Sequence, residues 1–181
     1  MPNNSTLINH TQKWLSNVVI QHSLCPFAKR EHDNNRIHYE VIETADIYTQ
    51  LDQIMTQCNA LDEDATRETS LLIFPFGLSD FEGYLEMLDI STALLKSEGY
   101  EGIYQFASFH PNYCFEGVTL DDPSNYTNRS PYPMLHILRE ASVEAALKNY
   151  PNPEKIPVRN TQLTKSLGVK TMRALLADCY K

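Results

Sequence analysis

Ser70-Leu71-Leu72-Ile73-Phe74, closed by Pro75, is the stretch on which the fold turns. A short apolar run of this kind predicts a strand buried on both faces, placed in the middle of a sheet. Downstream, Ser79 followed three residues later by Glu82 forms a capping-box signature, and Phe81, Leu85, Leu88 and Leu95 continue one helical face until Gly99. Ile103 to Phe109 then reads as another strand. Upstream, the alternation of Ile37-His38-Tyr39-Glu40-Val41-Ile42 suits a strand, with Thr44 as the cap of a helix striped by Ile47, Leu51, Ile54 and Cys58.

Further out, Leu7, Thr11, Trp14, Leu15, Val18 and His22 predict an opening helix over about 5–22, which Cys25-Pro26 leaves in an extended or turn geometry. Helix and strand therefore alternate three times. That order favours crossover connections and predicts an α/β sandwich, a small and mainly parallel sheet of three or four strands flanked by helices. Asp62 to Thr69 reads as a loop, and the stretch from His110 to Asn128 as a long one, within which Cys114 to Leu120 offers a short extra strand. Ser130 as N-cap and Pro131 as first helical residue predict a helix to about Lys148. A last helix over about 160–180 is expected to break near Gly168.

The chain has 181 residues, 42% hydrophobic and 21% charged, without repeats, which fits a single α/β domain over 1–181. Its formal net charge is −8 and its pI near 5.2, with scattered Lys and Arg, so the electrostatic footprint of a nucleic-acid groove is missing. No apolar run reaches membrane-spanning length and the opening residues do not read as a secretion signal. A cytoplasmic protein with a small anionic partner, and no nucleic-acid or membrane partner, is expected. Cys25, Cys58, Cys114 and Cys179 are widely spaced, signalling neither a disulfide framework nor a thiolate zinc site. No cofactor or oligomeric state is implied.

Titratable side chains gather between His110 and Glu140. Arg129 beside the predicted helix start at Ser130 makes a receptor for carboxylate or phosphate. On that helix His136, Arg139 and Glu140 share a face, and the four-residue spacing of His136 and Glu140 gives a proton-shuttling pair. Two ligands do not make a metal site. His110, at the end of a strand where α/β sheets bind ligands, is the preferred acid/base, and Cys25 the candidate nucleophile. Gln105, Arg129, Ser130 and Arg139 are the expected ligand-binding set. Asp121, Asp122 and Asn125 read as turn chemistry and Arg159-Asn160 as the start of the last helix.

The blocks Leu24-Cys25-Pro26-Phe27-Ala28, Gln105 to Pro111, Asn125 to Pro133, Leu135 to Glu140 and Val158-Arg159-Asn160 resemble a bacterial family catalogued as domain of unknown function 1415. The likeness covers nearly the whole chain, and it implies a small soluble protein without carrying over any reaction, cofactor or substrate. Three readings of the polar residues follow. One is a hydrolase or transferase acting on an anionic substrate; another is a noncatalytic module binding a nucleotide, phosphate or acidic ligand. The third makes His110, Arg139 and their neighbours an internal brace.

Overall fold

The computed structural model describes residues 2–181 and is an α/β fold with one sheet between two helical layers. The first layer begins with α1 (Asn4–Trp14), which continues through a π-helical stretch, Leu15–Ile20; the short α2 (Ala28–Asp33) follows. Next come β1 (Ile37–Val41), α3 (Ile47–Glu63), β2 (Thr69–Ile73), α4 (Phe81–Ser97) and β3 (Tyr104–Phe109). After a long loop come β4 (Met134–Arg139), α5 (Glu140–Lys148) and α6 (Ile156–Asp178).

The strand order is β1-β2-β4-β3. All five residues of β2 are buried, as the run around Leu71 requires of a central strand. The sheet is nonetheless mostly antiparallel: β1 pairs with β2 in parallel, while β4 runs antiparallel to both β2 and β3. The crossover logic still holds for β1, β2 and β3, which all point one way. Insertion of β4 between β2 and β3 changes the character of the pairing.

Residues 134–139 are thus a strand, where the sequence reads as helix. Met134, Leu135 and Ile137 are buried on the two faces of a central strand, so the run shows neither clean alternation nor a polar stripe. Pro133 also restricts Tyr132 to extended geometry. Phe74 donates to the Pro133 carbonyl at 2.9 Å, prolonging the ladder. The helix begins only at Glu140, so Ser130 caps nothing; its hydroxyl donates to the Tyr132 carbonyl at 2.6 Å.

Alternation sorts the core. Leu71, Ile73 and Met134 face Leu7, Trp14, Val18 and Met172 of α1, the π stretch and α6. Leu72, Leu135 and Ile137 face Ile54, Cys58, Leu61, Tyr84 and Met87 of α3 and α4. The caps sit slightly off their predicted places: Asp46 accepts from Thr49 N–H and Asp80 from Gly83 N–H, each at 2.9 Å. On α4 the buried stripe is Tyr84, Met87, Ser91 and Leu95, leaving Leu85 outward. Residues 114–120 form turns instead of a strand. Gly168, at φ 79°, interrupts α6 as expected.

Candidate functional site

The residues expected to line one pocket are distributed over both sheet faces and both ends of β4. Arg129 and Ser130 precede that strand and Glu140 follows it, a separation of roughly 20 Å at about 3.4 Å per residue. Arg139 and His136, of opposite parity along β4, lie on opposite faces.

Most of these side chains are committed to internal bonds. His110 is fully buried; its Nε2 pairs with the Leu78 carbonyl at 3.0 Å and its Nδ1 accepts from Asn112 N–H at 3.0 Å. Phe81 and Tyr84 pack on its ring at 5.2 and 5.1 Å. With Nδ1 accepting and Nε2 donating, the imidazole is neutral, and burial holds its pKa below the ordinary value. No nitrogen remains for a substrate. Arg129 donates to the carbonyls of Tyr113 at 3.0 Å and Leu120 at 2.7 Å, and lies over the Tyr126 ring, clasping the long loop. Arg139 donates to the Leu61 and Arg67 carbonyls and to Tyr104 Oη, binding the carboxyl end of α3, where the helix dipole favours a cation.

Gln105 is exposed at the β3 edge and shares a shallow groove with Glu140 beside α5. Cys25 is partly buried against the same cluster as Leu71 and Met134, and its sulfur makes no hydrogen bond among the described residues. Arg159 ties the Ser23 carbonyl and Tyr150 together. Asp122 accepts from Ser124, and Asn125 bridges Phe115 and Thr119, so both organise the loop. Among the described residues no cluster of His, Cys, Asp or Glu is placed to hold a metal.

His136 differs from the rest. It lies on a central strand, where both faces are normally sealed, yet it is only partly buried, as is Leu138 two residues on. Ala107, its direct partner on β3, is partly buried too. Leu135 and Ile137 on the other face are fully buried. The helical layer over this part of the sheet is therefore incomplete.

The hydrogen bonds around His136 fix its tautomer. Thr69 Oγ1 has one proton, which it donates to the Ile137 carbonyl, so its lone pair accepts from His136 Nε2–H. Nδ1 is left with its lone pair and no protein partner among the described residues. Burial pushes the pKa down to about 4, so the ring is neutral at physiological pH. Since this folded pKa lies below the unfolded one, the contribution to stability is complete above about 6.5 and is lost as pH falls through about 4. Helical spacing pairs His136 with Glu140; the structure pairs it instead with Thr69, which only the pairing of β2 with β4 brings near.

No helix among the described residues is long and apolar enough to cross a membrane. A family model described as protein of unknown function, DUF1415, matches residues 6–174. No curated protein and no solved structure matches the chain.

Proposed function

The chain belongs to the DUF1415 family, and we propose that it is a noncatalytic small-molecule binding protein whose ligand lies on the half-covered sheet face at His136. The carrying observation is the unpartnered Nδ1 lone pair on a neutral imidazole held by Thr69. Ala107, Leu138 and Leu71 surround it by register, giving the apolar wall with one placed polar group that small-molecule sites typically have. The ligand is neutral and presents an N–H or O–H donor. An anion is disfavoured, because Arg129 and Arg139 spend donors on loop and helix carbonyls away from this face. A reducing cytoplasmic setting suits four free thiols.

Benzamide, a flat neutral donor, tests the reading against benzoate in a thermal-shift titration of the full chain. Benzamide is expected to raise the melting temperature and benzoate to leave it unchanged. In His136→Gln the amide keeps the bond to Thr69 but lacks the ring acceptor, so the benzamide shift should disappear while the fold persists. Equal responses of the native protein and His136→Gln would contradict the proposal.

A further inference from the structure

A second hollow, of about 380 Å³, opens at the carboxyl ends of β1 and β2. These are the two strands hydrogen-bonded in parallel, and adjoining carboxyl ends of parallel strands are where α/β folds commonly bind ligands. Glu43 from the end of β1 forms part of one wall, with Pro75 and Phe76 from the end of β2. Pro2 and Asn3 just before α1, Asn4 and Leu7 within it, and Tyr132 of the segment entering β4 complete it.

Two properties of this lining point to one ligand chemistry. Glu43 is the only charged side chain among the described lining residues, and Asn4 donates to its Oε1, leaving Oε2 without a protein partner among those residues. The net charge of −8 adds a field that favours cations over anions. Asn3 and Asn4 add neutral amides, and the remaining wall, with Leu7, Pro75, Phe76 and Tyr132, is apolar and aromatic, Phe76 being 37% exposed at the rim. Tyr132 is held in place: its hydroxyl pairs with His10 Nδ1 at 2.7 Å, its ring stacks on His10, and Tyr180 packs edge-on while donating to the Pro131 carbonyl at 2.6 Å. Burial, reinforced by Lys13, keeps His10 below its usual pKa, so the ring supporting Tyr132 adds no positive charge at neutral pH.

We propose that this cleft binds a primary amine carried on an aromatic body. The ammonium sits at Glu43, and the ring lies against Leu7, Phe76 and Tyr132. The cleft lies off the Met134 end of β4, on the same sheet face as His136 but at a different place along the strand, and takes ligands of different charge.

Phenethylamine tests it, with 2-phenylethanol and 3-phenylpropionate as neutral and anionic counterparts, each titrated into the full chain at pH 7 and followed by the NMR resonances of Phe76 and Tyr132. The amine is expected to bind about fivefold more tightly than the alcohol, the upper range for an exposed ion pair, and the acid more weakly than either. Glu43→Gln, an exposed change that should leave the melting temperature unaltered, should reduce the amine to the level of the alcohol. His136→Gln should not alter it. Equal binding of amine and alcohol, an undiminished amine response in Glu43→Gln, or unmoved Phe76 and Tyr132 resonances would each overturn the proposal.

Discussion

His110→Ala is expected to destabilise the folded chain by about 4 kcal/mol, measured as the loss of unfolding free energy in urea. The substitution removes a fully buried ring from between Phe81 and Tyr84 and leaves a cavity on that side of the sheet. It also strands the Leu78 carbonyl and the Asn112 N–H, each of which has the imidazole as its partner. The Leu78 carbonyl is buried and costs about 1–3 kcal/mol when stranded, whereas exposed Asn112 can turn to water; with the cavity this puts the change among the severe ones. Benzamide affinity at His136 should be preserved in whatever fraction remains folded. A loss below about 1 kcal/mol would show that His110 is no brace.

Arg139→Ala is expected to cost about 3 kcal/mol by the same measurement, since hydrogen bonds to a charged donor contribute roughly 1.5–3 kcal/mol and this guanidinium makes several. It joins the last turn of α3 to Arg67 in the segment before β2, and its charge opposes the negative end of the α3 dipole. Arg139→Lys should recover only part of the loss. An ammonium retains the charge but lacks the planar fork that spans the Leu61 and Arg67 carbonyls and Tyr104 Oη. Full recovery by lysine would assign the effect to charge alone.

Much of the fold can be read from local signals. The run around Leu71 marks a central strand, Gly99 and Gly168 mark their breaks, and the order from α1 to β3 follows from periodicity and turns. What misleads is β4. A strand buried on both faces loses the period-two signature, and Ser130-Pro131 imitates a helix start where the chain in fact enters the sheet. The expected site depends on the same stretch, because helical spacing places His136, Arg139 and Glu140 on a single face. Strand alternation sends Arg139 to α3 and His136 to the opposite side.

His110, Arg129 and Arg139 do mark important positions, as buried or partly buried polar groups usually do, but their partners are backbone carbonyls distant in sequence, such as Leu78 and Leu61. The brace reading, which needs only such partners, accounts for all three. The pairing of His136 with Thr69 has no local signal; it exists only because β2 and β4 are neighbours. The cleft at Glu43 is equally nonlocal, assembled from the ends of two strands, the start of α1 and the entry to β4.

The long-range proton–nitrogen NMR spectrum of the His136 ring tests the account most directly, recorded from pH 7 to pH 4 with and without benzamide. The expected spectrum shows a proton on Nε2 and none on Nδ1, a ring that stays neutral until pH approaches about 4, and an Nδ1 resonance that moves when benzamide is added. A proton on Nδ1 at pH 7, ordinary titration near 6.5, or an Nδ1 signal indifferent to benzamide would contradict it.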